Sequence, residues 1–401
     1  MVLFLSPVKK TAMLKRLLTS LTFLFVSFAQ LRAQTPIVLG QTGLLHSSIL
    51  KEDRTYRVSL PASYSWAEDR RYPILYVLDG EEQFVHTASS ASFLANQGEV
   101  PEMIVIGIDS TVRIRDFTQT DWPQAWVGGG GAADFKRFLS QEFIPNIERI
   151  YRTNGFRVLS GHSAGGQFVL YCLTAEPSLF QAYMALSPSL DWDNHLPQRS
   201  LEGFFDATRS LKAFLYVAHS DDSGQALADD DRLVLTLKTK SPAGFRWYSA
   251  AFPDETHTSM ALLAQLDGLR RLYDGYRLHR DFLDKGLAYA EQHFAIVSKT
   301  VGYSIPIPED VINGLAYNAL EQGKTDEALA LFKRNVQGNP NSANAFDGLA
   351  DGYQKAGQMK DAAAASDKAA ELAVKFGNPN QSYFVRQAKK RKAQLGQNPT
   401  N

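Results

Sequence analysis

A single cysteine, Cys172, stands in 401 residues, which excludes a disulfide framework and any zinc site built on cysteine pairs. Net charge is missing as well. The 42 basic side chains are matched by 42 acidic ones, so no overall electrostatic attraction draws the chain to nucleic acid or an anionic membrane surface. No His-Glu-x-x-His pattern or carboxylate cluster suggests a metal, and no cofactor is indicated. Past the N-terminus, no apolar run approaches the ~20 residues of a membrane-spanning helix. What is present is ordinary globular material: 44% hydrophobic and 11% aromatic residues, too apolar for a largely disordered chain. At roughly 100 to 200 residues per domain, the length predicts two or three domains.

Met13 to Ala33 reads as an export signal, with Lys15 and Arg16 leading, an apolar run from Leu17 to Ala29, and small residues after it. Residues 1–33 are therefore expected to be removed, with Met13 as an alternative start. The mature protein is expected to be exported, periplasmic or secreted. A membrane anchor is the competing reading, and the run is short for one.

From about Arg54 to Gly275, β-branched or aromatic runs alternate with amphipathic stretches of helical length. That alternation predicts an α/β domain over 34–276, a doubly wound, mostly parallel sheet. The predicted strands are Tyr56–Leu60, Ile74–Leu78, Met103–Ile108, Arg157–Leu159, Ala182–Leu186, Phe214–Ala218 and Arg246–Ala251. Phe135, Phe138, Leu139, Phe143, Ile147 and Ile150 recur at helical steps and predict a helix that Pro145 interrupts.

After Tyr276 no strand candidate remains. A helical linker is expected over 277–308, ending in the extended Tyr303-Ser304-Ile305-Pro306-Ile307-Pro308. Over 309–401, Gly314-Leu315-Ala316, Gly323 and Ala328 return 34 residues later as Gly348-Leu349-Ala350, Gly357 and Ala362. That period resembles the tetratricopeptide repeat, an all-α architecture. The basic cluster Arg386, Lys389, Lys390, Arg391 and Lys392 reads as a solvated face.

The chemical signal is Gly161-His162-Ser163-Ala164-Gly165. It follows a predicted strand and precedes an apolar helix, the context of a G-x-S-x-G nucleophile elbow. Ser163 is the expected nucleophile, and Gly161 and Gly165 are expected to be glycines because a side chain at either would collide. A serine hydroxyl needs a base, itself oriented by a carboxylate, and in such folds the order along the chain is serine, acid, histidine. His257, in the loop after the last strand, is the expected base; His195, His219, His279 and His293 are rivals. The acid is expected after Phe214–Ala218, where Asp221 and Asp222 are adjacent and spacing does not choose between them. Asp254 and Glu255 are rivals. The oxyanion hole is expected from the amide of Ala164 and from that of Glu81 or Gly80.

Asp79-Gly80-Glu81-Glu82-Gln83-Phe84, Ile106-Gly107-Ile108-Asp109 with Arg113-Ile114-Arg115-Asp116-Phe117-Thr118, Gly161 to Gly166, and Ser187-Pro188-Ser189-Leu190-Asp191-Trp192 together resemble one esterase family. It is the group of α/β-hydrolases that holds esterase D, the ferric-enterobactin and salmochelin esterases, and mycolyltransferases of the antigen 85 type. The resemblance spans about Thr35 to Tyr276, and the later region is similar to a subset carrying tetratricopeptide repeats. It implies Ser163, His257 and the amides near Gly80 and Ala164 in the roles above, and it favours Asp222 over Asp221 as the acid. Arg113 is the implied arginine at the substrate mouth, with pairing to Asp116 or Asp121 as its structural alternative.

Trp122, Trp126 and Trp192 lie on loops at the same end of the sheet, and Trp192 is the candidate to stack against an aromatic acyl group. Gly128 to Gly131 lacks the strand and Lys-Ser/Thr of a phosphate loop and reads as cleft rim. The expected activity is hydrolysis of a small-molecule carboxylic ester, with siderophore or hydroxycinnamoyl esters implied by the resemblance. The alternatives are acyl transfer of the mycolyl type, or a protein-binding module in which the repeats dock a partner.

Overall fold

In the computed structural model, which describes residues 37–125, 128–220 and 223–397, the alternating pattern resolves into one eight-stranded sheet. The expected export segment, Trp126, Asp221 and Asp222 lie outside the described residues. The strands are β1 (Gln41–Ser47), β2 (Glu52–Ser59), β3 (Tyr72–Leu78), β4 (Ile104–Ile108), β5 (Thr153–His162), β6 (Ala182–Leu186), β7 (Phe214–His219) and β8 (Arg246–Ala251). Their order across the sheet is β1-β2-β4-β3-β5-β6-β7-β8. The β1–β2 and β2–β4 pairs are antiparallel and the rest parallel.

β3, β4 and β6 are buried at every position, as parallel strands covered on both faces must be. The two-residue period splits their side chains between two cores. Leu75, Val77, Val105 and Met184 point to one face, Ile74, Tyr76, Ile106 and Tyr183 to the other. β1 is absent from the predicted strands because it is a largely exposed edge, buried only at Ser47, so it carries little apolar alternation.

The helices on the two faces are α1 (Gly80–Asn96), the short α2 (Arg113–Phe117), α3 (Ala132–Phe138), α4 (Ile144–Ile150), α5 (Ala164–Ala175), α6 (Trp192–Ala207), α7 (Gly224–Lys240) and α8 (Met260–Leu272). The interruption expected at Pro145 takes the form of a wide π turn, Leu139–Phe143, between α3 and α4. A proline ring clashes with the carbonyl four residues back, and widening the preceding turn relieves that contact.

Beyond Tyr276 come α9 (Phe282–Val301), α10 (Glu309–Glu321), α11 (Thr325–Gly338), α12 (Ala343–Lys355), α13 (Met359–Lys375) and α14 (Gln381–Gln397). The turn glycines Gly323 and Gly357 adopt φ of 76° and 75°, a left-handed conformation that favours glycine. Gly348 matters for a different reason: a Cβ there would lie 2.8 Å from the Phe332 ring. The basic cluster is not uniformly solvated. Arg391 is buried, and its guanidinium is bonded to Asp347, Asp351, Ser366 and Gln354.

Residues from Gly40 onward belong to one compact unit. One apolar core runs without a break from Val77 and Met184 on the sheet through Leu269 and Tyr273 to Phe294, Ile305, Leu315 and Phe332. Arg70 reaches Asn339 at 2.9 Å, and the Phe156 and Tyr303 rings lie 4.7 Å apart.

Candidate active site

Ser163 occupies the single residue between β5 and α5, with φ 59° and ψ −119°. Non-glycine residues rarely adopt positive φ, and the strained turn lifts the side chain clear of the sheet. A Cβ on Gly161 would lie 2.4 Å from the Gly165 carbonyl oxygen, so α5 can approach β5 this closely only because Gly161 has none. The same argument does not hold for Gly165. A Cβ there would meet Asp79 at an ordinary 3.5 Å, and the second tight position is Gly166, where it would sit 3.0 Å from Pro188 Cα.

Backbone donors converge on this turn. Ala164 is the buried first residue of α5, and the first amides of a helix lack intrahelical acceptors. α1 also begins here. Its preceding residue, Asp79, is left-handed at φ 53°, and the Asp79 carbonyl accepts from the amides of Glu82 and Gln83 at 3.0 and 2.8 Å. The amides of Gly80 and Glu81 therefore precede the first helical bonds. Gly80 is also sterically required, since a Cβ would lie 2.7 Å from the backbone of Gly107.

Arg113 is part of this frame. Its Nε and Nη2 donate to the buried Asp79 carboxylate at 2.9 and 3.0 Å, and Nη2 also donates to the His162 carbonyl at 3.0 Å. Its partner is thus neither Asp116, which pairs with Arg54 and Arg115, nor Asp121. Ser110 completes the cluster, donating its hydroxyl to Asp79 at 2.6 Å and its amide to the Glu81 carboxylate at 2.9 Å. One guanidinium therefore ties the start of α1 to the end of β5, the two places that carry the expected oxyanion amides.

His257 lies exposed in the loop between β8 and α8. The start of that loop is held to the end of β7, where the Phe252 amide donates to the His219 carbonyl at 2.9 Å. Two side chains then grip His257. His162 Nε2 donates to its carbonyl at 2.6 Å, and Ser187 Oγ lies 2.9 Å from its Nδ1. The two imidazole rings are 4.7 Å apart. Because a carbonyl only accepts, His162 carries its proton on Nε2. Burial, the largest influence, pushes its pKa down to about 4, so the ring is neutral near pH 7.

Ser187 links these groups to the elbow. It is buried, at φ 41°, and its amide donates to Ala218 at 2.7 Å. The Ser163 amide donates to the neighbouring Leu186 carbonyl at 2.9 Å, and the Ser189 amide to the Ser163 carbonyl at 3.1 Å. Ser189 Oγ stands 3.4 Å from Ser163 Oγ, longer than a strong O–H···O bond. Among the described residues, the His257 ring is bonded to Ser187 and not to Ser163. His162, Ser187 and Ser189 were not among the residues singled out from the sequence, although all three fall inside its motifs.

Four of the rival residues have other partners. His195 faces Asp229 at 3.2 Å, His279 faces Asp281, and His293 bonds the Tyr276 carbonyl. Glu255 accepts from Ser259. Trp192 is buried, its N–H given to Thr120 at 3.2 Å, with the Trp122 ring against it at 5.3 Å. Gly129 of the glycine run packs on Trp192 and leaves no room for a Cβ. Among the described residues, no group of three or more His, Cys, Asp or Glu is placed to hold a metal ion, and no helix is long and apolar enough to cross a membrane. Cys172 is fully buried, which raises its thiol pKa and keeps it unreactive.

Comparison with known proteins gives a consistent result. Residues 47–233 match the family described as "Putative esterase". The ferri-bacillibactin esterase BesA of Bacillus subtilis is 28% identical over 256 residues, covering 57% of this chain and 87% of the relative. The crystal structure of an IroE-like serine hydrolase from Shewanella oneidensis is 28% identical, with a TM-score of 0.66, and covers 74% of this chain and 99% of its own. An uncharacterised protein from Capnocytophaga ochracea, 18% identical with a TM-score of 0.57, covers 88% of this chain and 99% of its own. That last likeness extends the shared fold into the helical region.

Proposed function

We propose that this chain, which belongs through residues 47–233 to that esterase family, is an exported serine esterase acting on carboxylic esters of the siderophore type. The observation that carries the reading is the strained Ser163 at the β5–α5 turn, supported by the grip on His257 of His162 at the end of β5 and Ser187 after β6. The siderophore class rests on relatives such as the ferri-bacillibactin esterase and the triacetylfusarinine C esterase of Aspergillus fumigatus.

Ser163 Oγ attacks the ester carbonyl carbon while His257 Nε2 takes the hydroxyl proton. The oxyanion that forms is met by the amide of Ala164 and that of Glu81 or Gly80, donors already oriented before the charge develops. Collapse breaks the bond to the alcohol, which leaves with the proton from His257. Water then attacks the acyl-enzyme by the same route, releasing the acid and restoring Ser163. Asp222, or its neighbour Asp221, is assigned the stabilisation of the imidazolium. An alcohol in place of water would make the same intermediate a transferase.

The test is a panel of catecholate, cinnamoyl, acetyl and short alkyl esters, with and without an added alcohol acceptor, beside labelling by a fluorophosphonate probe. Hydrolysis and labelling are expected, both lost in Ser163→Ala and in His257→Ala. Turnover that survives Ser163→Ala would sink the reading.

A further inference from the structure

Within the site, one hydroxyl occupies a place that the triad scheme gives to a carboxylate. Ser187 Oγ lies 2.9 Å from His257 Nδ1, on the ring nitrogen opposite the one that must face the nucleophile. The serine cannot reorient freely. It is buried, and its amide is bonded to Ala218 across the sheet. It also adopts φ 41°, a conformation that a non-glycine residue keeps only where the surroundings impose it. Strain of this kind at a residue between the ends of β6 and β7, next to the backbone that bonds Ser163, points to function rather than to packing.

We propose that Ser187 is a positioning residue, its hydroxyl oxygen accepting the Nδ1 proton of His257 and so keeping the Nε2 lone pair directed at Ser163. The role rests on the reading of His257 as the base. An imidazole in the opposite tautomer presents a proton to Ser163 and cannot accept one. Because the loop carrying His257 is exposed, its ring depends on partners from the sheet to hold one orientation. His162 fixes the loop backbone through the His257 carbonyl, and Ser187 fixes the ring. The ionisable neighbour packed on the ring from β5 is His162, which is neutral near pH 7 and adds no charge there.

Glycine at 187 separates the hydroxyl from the strained backbone, since glycine adopts positive φ without penalty. In the full-length chain, Ser187→Gly is expected to keep or raise the urea midpoint. It should lower kcat on a p-nitrophenyl ester about ten- to hundredfold, within the range of general-base effects, and leave KM within about twofold. Labelling by the fluorophosphonate should slow in parallel. In 15N-histidine spectra, the wild-type His257 should carry its proton on Nδ1, and Ser187→Gly should give a mixture of tautomers. Ser187→Ala should repeat the kinetic result. An Nε2–H tautomer in the wild type would overturn the proposal, as would unchanged kcat in both variants. If His257→Ala itself retains labelling, the base assignment fails and this role falls with it. If His257→Ala is inactive while Ser187→Gly equals wild type, only the role of Ser187 fails.

Discussion

Arg113 shows how much a residue's role depends on what it faces. The family resemblance places an arginine at the substrate mouth, whereas its Nε and Nη2 are engaged by Asp79 and the His162 carbonyl. Removing it leaves the buried Asp79 carboxylate short of its bidentate partner and unties the two segments that carry the proposed oxyanion amides. Arg113→Ala is therefore expected to lower kcat about tenfold or more, less than deletion of an oxyanion donor, with little change in KM. Stability should fall by about 1.5–3 kcal/mol, the scale of hydrogen bonds to charged groups. Lysine should not restore the activity, because it cannot make the paired bonds. A rise in KM with kcat intact would instead indicate direct substrate binding. His162 supplies a pH dependence. Its folded pKa, pushed down to about 4 from an ordinary 6.5, means that the unfolded chain binds the extra proton first as pH falls. The stabilisation is present above pH 6.5 and is lost progressively towards pH 4, by up to about 3 kcal/mol. Urea unfolding at pH 7 and at pH 4.5 should show that loss in the wild type and a smaller one in His162→Gln, which keeps a donor for the His257 carbonyl but does not titrate.

At the level of elements, the elbow separates two glycines that the motif treats alike. Gly161 is a point of contact between β5 and α5, and an added methyl group 2.4 Å from a carbonyl oxygen would force strand and helix apart. Gly161→Ala is expected to destabilise by about 3 kcal/mol or more, the upper range for overpacking a rigid site. Gly165 has ordinary van der Waals space and sits within α5, where alanine is the better helix former by up to about 1 kcal/mol. Gly165→Ala should fold with a melting temperature at or above that of wild type. Thermal melts of the two variants side by side would test the distinction, and equal destabilisation would refute it. The π turn before Pro145 belongs to the same scale: the proline was legible as an interruption, while the way the helix absorbs it depended on Phe138, Leu139 and Phe143 all being drawn into the core.

For the whole molecule, the continuous core joining the sheet to the C-terminal helices argues that these helices brace the catalytic region. Tyr303, beyond α9, packs its ring at a tilt against Phe156 of β5 and donates its hydroxyl to Tyr273 at the end of α8. The full chain from Gly40 should unfold in a single cooperative transition. Deleting residues 304–401 removes Ile305 and the helices after it and so strips cover from Phe294; the midpoint should fall and the soluble yield with it. A truncated chain as stable as the original, with equal activity, would show that the helices serve something other than the enzyme.

Most of the architecture was already in the order of residues, because periodicity acts locally. Buried runs such as Tyr72–Leu78 and Ala182–Leu186 can only be covered strands, the 34-residue interval returns as the spacing of α10 with α12 and of α11 with α13, and a glycine-flanked serine between strand and helix marks a turn with few alternatives. β1 escaped because an exposed edge strand is held by its partner's backbone rather than by its own side chains. The partners of the site residues had to come from the tertiary structure. That Asp79 faces Arg113, that His162 holds a carbonyl 95 residues away, and that a serine at the end of β6 meets His257 Nδ1 are consequences of which strands lie side by side. Sequence distance carries no information about that adjacency, and the chemistry of the site is made of it.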